Sequence, residues 1–228
     1  MILAAGRGER MRPLTDICPK PLLSVGGKPL IVWHIERLAR AGIHDIVINH
    51  AYLGHTIEET LGRGQLWGVQ IDYSHEDEAL ETAGGIANAL PLLGNGPFLV
   101  VNGDVYCDLD YGTFCARALT RIAQGNHAHL AMVNNPAQHP QGDFVLDASG
   151  RISRDGGSLL TFSGIGAYRP ELFSSIEPGS KARLAPLLFT AMDQGRVSGQ
   201  HFQGRWEDVG TPERLRMLDE ELKLRTEQ

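Results

Sequence analysis

Apolar positions along the chain change their period several times, and each change marks an element. The opening apolar run from Ile2 breaks at Gly6, and a second short run, Leu22 to Val25, ends at Gly26-Gly27. Pro29 stands where a helix can begin, and Ile31, Ile35 and Leu38 recur at helical spacing up to Gly42, which predicts an amphipathic helix closed by glycine. Asp45 to Asn49 is a β-branched run that predicts a strand. Leu53, Ile57 and Leu61 predict another helix, Val69 to Tyr73 alternates as a strand, and Ile86, Leu90 and Leu93 share one face of a third helix. Phe98 to Val101 is a buried strand ending at Asn102-Gly103-Asp104. Strand and helix therefore alternate four times within about a hundred residues, the pattern of a parallel sheet covered by helices on both faces.

The pattern then changes. Phe114, Ala118 and Ile122 predict a helix and His129 to Val133 a strand. Asp143 to Leu146, Arg151 to Ser153 and Leu159 to Tyr168 alternate, with Ser149-Gly150 and Gly156-Gly157 between them, as in an antiparallel meander. Pro170 to Ile176 and Lys181 to Met192 read as helices, Val197 to Phe202 as a strand, and Pro212 to about Arg225 as a charged amphipathic helix. No repeat, low-complexity tract or linker interrupts the chain. The fold class is α/β: a Rossmann-like, mostly parallel sheet flanked by helices, with a small antiparallel meander, in a single domain spanning 1–228.

Composition narrows the function. A formal net charge of -6 leaves no basic excess to neutralise a nucleic-acid backbone, so a nucleic-acid partner is not expected. Three cysteines, odd in number and without metal-type spacing to histidine, predict neither a disulfide framework nor a zinc site. No apolar run approaches the roughly 20 residues that span a bilayer, and no secretory signal opens the chain, so a cytoplasmic protein without a membrane partner is expected. A strand starting at Met1 has hardly any lead-in, and a few residues are expected to precede it in the gene product.

Within this acidic chain one stretch is locally basic. Gly6 and Gly8 alternate with Arg7, Arg10 and Arg12, and Lys20 follows between Pro19 and Pro21. Glycines that tolerate positive φ let a ligand approach the main chain, and the cations supply charge for an anion. The spacing to Lys20 excludes a Walker loop, and Met11 stands where a Rossmann fingerprint needs its third glycine. A bland turn is the alternative for the glycines, and a solvated surface lysine the alternative for Lys20. Ligands of parallel sheets bind beyond the carboxyl ends of the strands, so this loop and the Asn102-Gly103-Asp104 turn are expected to open on one edge. Asp104, and Asp208 in Trp206-Glu207-Asp208-Val209-Gly210-Thr211, also have the plainer reading of turn or cap residues.

LAAGRGERMRPLT followed by PKPL, with NGD and WxDVGT further on, resembles the signature of the sugar-phosphate nucleotidyltransferases. These enzymes join a nucleoside triphosphate to a sugar 1-phosphate and release pyrophosphate, so both small molecules are the expected partners. The resemblance implies that Leu3, Ala4, Ala5, Gly6, Arg7 and Gly8 wrap the triphosphate, with Arg10 and Lys20 on phosphate oxygens. It implies that Asp104 and Asp208 hold one Mg²⁺, and that Asn102 lies near the ribose or bridging phosphates. Residues 1–110 would carry mainly the nucleotide and 111–228 mainly the sugar phosphate. The segment Leu80-Glu81-Thr82-Ala83-Gly84-Gly85-Ile86 corresponds to the family's base-reading segment, with Glu81, Thr82 and backbone near Gly85 as candidates for a pyrimidine edge; close helix packing is the alternative for its glycines. Gly142, Asp143, Ser163, Lys181 and Trp206 are the candidates for the sugar pocket. A V-E-K-P segment frequent in the family is missing from Arg151 to Thr161, so its glutamate contact is not carried over. A sugar 1-phosphate is already ionised at neutral pH and needs no general base; His50, His127 and His129 are read as structural or surface residues. A non-catalytic regulatory module on the same fold is the competing class.

Overall fold

The computed structural model describes residues 1–226. Strand β1 (Ile2–Leu3) leads into three single turns of 3₁₀ helix, Glu9–Met11, Leu14–Asp16 and Lys20–Leu22. Strands β2 (Ser24–Val25) and β3 (Lys28–Pro29) form a hairpin on Gly26-Gly27, whose φ values of 60 and 83° are open to glycine. Helix α1 (Leu30–Arg40), strand β4 (Asp45–His50), helix α2 (Gly54–Leu61) and strand β5 (Gln70–His75) follow where the apolar periods predict them. Next come α3 (Glu81–Leu93), β6 (Phe98–Asn102), β7 (Val105–Cys107), α4 (Tyr111–Ala123) and β8 (Ala128–Val133). The meander strands are β9 (Phe144–Leu146), β10 (Ile152–Ser153) and β11 (Leu159–Tyr168). The chain ends with α5 (Leu184–Asp193), β12 (Val197–His201), β13 (Trp206–Asp208) and α6 (Pro212–Thr226).

Two compact units emerge, and they do not follow the linear halves of the chain. The first holds Met1–Ala79, Asn102–Asp108 and the segment from Arg205 onward. Its strands β1, β4 and β5 are parallel, with Leu3 beside Asn49 and Asn49 beside Ser74. β7 and β13 make a short antiparallel ribbon in which Trp206 faces Cys107 and Asp208 faces Val105. Val25, Leu30, Tyr106, Val209, Leu218 and Leu222 form its buried cluster, with Trp33 and Leu215 against it, so α6 is held by apolar contact along one face. Asp219 adds a hydrogen bond, accepting from the Gly26 N–H at 2.8 Å.

The second unit holds Leu80–Val101 and Leu109–Gly204. β11 runs antiparallel to β6 and to β8, β12 lies parallel on β8, and β9 joins both β10 and the start of β11. The expected meander is present, and its long strand continues past it to pair on both edges. The chain is thus α/β, its mostly parallel sheet flanked by helices, with small antiparallel sheets beside it. Two expectations need correction. The helix read over Pro170 to Ile176 is only a 3₁₀ turn, Pro170–Phe173. The helix read from Lys181 begins at Leu184, because Ala182 is engaged otherwise: its N–H donates to Leu80 O at 3.0 Å and its carbonyl accepts from Ala83 and Gly84.

Two histidines are buried without charge. His129 lies beside Phe114 in the second unit and His34 inside the first, and burial pushes both imidazoles down to about 4. The unfolded chain takes up these protons near the ordinary value of 6.5, so stability is intact above that pH and falls as pH drops toward 4. The slope reaches about 1.4 kcal/mol per pH unit for each ring. Urea midpoints between pH 7 and 5 should therefore decline, and His129→Gln should make the decline shallower; an unchanged slope contradicts the assignment.

Candidate active site

The exit of β1 is fixed by buried polar groups. The Ala4 N–H donates to Asn49 Oδ1 at 3.0 Å, and Asn49 Nδ2 donates to Glu76 at 2.6 Å. Asn49 and Glu76 are only 2 % and 3 % exposed, so each depends on a partner inside the protein. The Gly103 N–H donates to Leu3 O at 2.8 Å, and a Cβ at Gly103 would fall 2.7 Å from that same oxygen. Glycine is required there for proximity, and its closeness brings the Asn102-Gly103-Asp104 turn alongside the start of the basic loop.

The loop is stiffened from within. Gly8 has φ 67°, and its carbonyl accepts from Thr15 Oγ1 at 2.8 Å. Arg7, expected on phosphate, donates to Thr15 O at 2.6 Å and to Asp16 at 3.1 Å while its guanidinium lies 3.7 Å from the Tyr52 ring centroid. Tyr52 donates to Asp16 O at 3.0 Å, and Arg12 pairs with Asp16 at 2.8 Å. Arg7 is thus a clamp across the loop in this structure. Gly6 and Arg10 are exposed, and among the described residues, its chain neighbours aside, nothing lies within 4 Å of where a Cβ on Gly6 would stand, which leaves main chain open to a ligand.

Lys20 is not a surface lysine. It is 7 % exposed, and its Nζ lies 2.6 Å from Asp104 Oδ2. Asp104 ends the turn that β7 follows, and the Val209 N–H donates to its carbonyl at 3.2 Å, so the β7–β13 ribbon sets Asp104, just before β7, beside the end of β13 that carries Asp208. The plainer cap reading of Asp208 fails on the same ground, since Asp208 is the last residue of β13. His34, neutral by burial, donates from Nε2 to Val105 O at 2.7 Å and ties α1 to the ribbon. Asp208 Oδ2 accepts from Arg214 at 2.9 Å. Three cations, Arg10, Lys20 and Arg214, therefore accompany two carboxylates within the first unit. Asn49, Glu76, Tyr52, His34 and Arg214 went unread in the sequence; of these only Asn49, a polar residue closing a β-branched run, left a visible sign.

The donor set suits a hard divalent cation. No cluster of three or more His, Cys, Asp or Glu side chains able to hold a metal occurs among the described residues, so Asp104 and Asp208 would supply two ligands and phosphates or water the rest. That division is the usual one for magnesium at phosphoryl sites. Both carboxylates already take cationic partners, which shows that positive charge is complementary there.

In the second unit, Glu81 opens α3 at φ 63°, a strained conformation for a side chain of its size. The N–H groups of Ala83 and Gly84 donate to Ala182 O at 2.9 and 3.1 Å, and a Cβ at Gly84 would lie 2.3 Å from Ser180 O. Gly84 is thus explained by close packing, Gly85 is buried, and Lys181 precedes Ala182, whose hydrogen bonds reach Leu80, Ala83 and Gly84 on either side of Glu81 and Thr82. Gly142 and Asp143 lie beside the start of β11, and Ser163 falls where its register on β8 shifts. Asp143 accepts from the Phe162 N–H at 2.8 Å and pairs with His139 at 3.0 Å. Gly142 has φ 70° with Asn135 against it, and Ser163 is buried with its Oγ accepting from the Ile165 N–H at 3.2 Å. These contacts brace the strand.

No helix among the described residues is long and apolar enough to cross a membrane. The family described as Nucleotidyl transferase matches residues 1–224. N-acetylmuramate alpha-1-phosphate uridylyltransferase of Neisseria meningitidis serogroup B (strain ATCC BAA-335 / MC58) is 59% identical over 219 residues, covering 95% of this chain and 94% of that protein. The protein of the same name from Caulobacter vibrioides is 34% identical, covering 93% and 92%. A solved structure of a candidate glucose-1-phosphate thymidylyltransferase from Bacillus anthracis, in complex with a sucrose, superposes with a TM-score of 0.84 at 24% identity, covering 97% of this chain and 94% of that one, and so shares the fold. With a glycine-arginine loop, a lysine seated on Asp104 and a second aspartate on the neighbouring strand, this chain belongs to the nucleotidyl transferase family.

Proposed function

We propose that the chain transfers a uridylyl group from UTP to N-acetyl-α-muramate 1-phosphate, giving UDP-N-acetylmuramate and pyrophosphate, as a cytoplasmic enzyme of cell-wall sugar recycling. The observation that carries this reading is the 59% identity, over 95% of the chain, to the Neisseria enzyme of that name. The whole chain acts as one nucleotidyltransferase domain, with 1–110 serving mainly the nucleotide and 111–228 mainly the sugar phosphate. A phosphate oxygen of the sugar 1-phosphate attacks the α-phosphorus, a new P–O bond forms in line, and the α–β bridging oxygen leaves with pyrophosphate. Two polyanions must meet, so repulsion between them dominates the barrier. Arg10 and Lys20 offset that charge, and main chain at Leu3, Ala4, Ala5, Gly6 and Gly8 holds the triphosphate while Arg7 keeps the loop in shape. Asp104 and Asp208 would hold a divalent cation, Mg²⁺ in this reading, which would supply further neutralisation of the phosphates. No base is assigned, because the attacking phosphate is already ionised.

Glu81, Thr82 and backbone near Gly85 read the uracil edge; a Glu81 carboxylate accepts from N3–H and cannot serve the carbonyl oxygens. Asn102 serves the ribose or bridging phosphates. Lys181 offers the cation that the lactyl carboxylate of the sugar calls for, with Gly142, Asp143, Ser163 and Trp206 completing the sugar side. The test is a panel of UTP, dTTP, GTP and CTP against muramate, glucose, mannose and N-acetylglucosamine 1-phosphates, read as pyrophosphate release. UTP with the muramate sugar should turn over fastest. Equal or faster turnover of glucose 1-phosphate would remove the muramate reading, and no release with any pair would favour a regulatory module.

A further inference from the structure

Gly210 has no positive φ to explain it, and its surroundings give another reason for glycine. A Cβ there would stand 2.4 Å from Arg214 Nη2, 3.0 Å from Asp208 Oδ2 and 3.1 Å from Arg10 Nη2. The two guanidinium nitrogens lie 2.4 and 3.1 Å from one point and hence at most 5.5 Å apart. Two like charges so close, with the single Asp208 carboxylate near the same point, leave a net positive corner. The Arg214 side chain is 17% exposed, so water screens it incompletely. Such a corner is complete when a further anion enters, and forked guanidinium groups match phosphate oxygens in two-point contact.

We propose that Arg214 is a further phosphate-binding residue, which acts with Arg10 on the β,γ-diphosphate end of the triphosphate and equally on released pyrophosphate. Gly210 keeps the space into which both guanidinium groups converge. Before the anion arrives Asp208 partners Arg214 at 2.9 Å and keeps its guanidinium at that space. This inference rests on reading Arg10 as a phosphate ligand. Loss of Arg214 weakens anion binding in two ways at once: a donor fork disappears, and the Asp208 charge is left uncompensated beside the anion.

Titrating inorganic pyrophosphate into the full-length protein by calorimetry, in excess Mg²⁺, tests the assignment. Arg214→Gln should weaken pyrophosphate at least tenfold, and Arg214→Lys, which keeps charge but not the fork, should recover part of the loss. Gly210→Ala should also weaken it, because the new methyl displaces the flexible Arg214 tip while all charges remain in the chain. Thermal midpoints should stay within a few degrees of the parent, which separates the effect from misfolding. Pyrophosphate affinity within twofold of the parent in Arg214→Gln or in Gly210→Ala, or no measurable binding to the parent, overturns the proposal. An Arg10→Gln variant that loses affinity while Arg214→Gln does not would sink this inference alone; a parent that binds pyrophosphate through Arg214 but releases none from any triphosphate would sink the proposed function alone.

Discussion

Asp104→Asn should lower the rate of pyrophosphate release by about 10² to 10³-fold at saturating substrates and leave the thermal midpoint within a few degrees of the parent. The substitution keeps the shape of the side chain and an oxygen that still accepts from Lys20 Nζ, which lies 2.6 Å from Asp104 in the parent. Lys20 is then not stranded, as it would be in Asp104→Ala. What disappears is one full negative charge at the point where a divalent cation is expected. The Asp104 side chain is 41% exposed, and asparagine there keeps a hydrogen-bond acceptor for the Lys20 side chain, itself 8% exposed, so a large kinetic effect with a small thermal one is the signature of a ligand role. Release rates measured across a magnesium series, beside thermal melts, check both halves. Near-parental turnover would return Asp104 to the rank of a turn residue.

Which parts of this arrangement could be read from the sequence follows from how local each cause is. Ile31, Ile35 and Leu38 bury one face of α1, and the β-branched run at Asp45 to Asn49 forms β4, because both signals lie within a few residues of the structure they cause. The ribbon of β7 and β13 is different. Each strand has three residues, and Asp208 pairs with Val105, far away along the chain, so no local period announces the pairing that brings the two aspartates together. Lys181 shows tertiary contact overriding propensity: a helical pattern yields to the hydrogen bonds that Ala182 makes with Leu80, Ala83 and Gly84. Charge is ambiguous in another way. Arg7 and Arg10 are both arginines of one basic loop, yet Thr15, Asp16 and Tyr52 claim the first while the second stays exposed. Arg214 reads from sequence as one more charge on a solvated helix. The preceding strand, carrying Asp208, gives its guanidinium a partner.

Lys20→Met should lower kcat/KM for the triphosphate by about 10²-fold or more, and Lys20→Arg should not restore it. Lys20 lies between prolines, is 7 % exposed, and packs so closely on the loop that a Cβ at Gly8 would stand 3.2 Å from Lys20 Cβ. A planar guanidinium needs more width than an ammonium, so arginine keeps the charge but misplaces it. In Lys20→Met the Asp104 carboxylate also loses its neutralising partner beside an incoming polyanion, and repulsion adds to the missing contact. Because Lys20 and Asp104 share one ion pair, their effects must be coupled: the double variant Lys20→Met/Asp104→Asn should lose less than the sum of the two single losses on a logarithmic scale. Steady-state pyrophosphate release for the four proteins of that cycle provides the measurement. Strictly additive losses would separate the two residues functionally, and a Lys20→Met protein that melts earlier but turns over at the parental rate when folded would make the lysine a purely structural partner of Asp104.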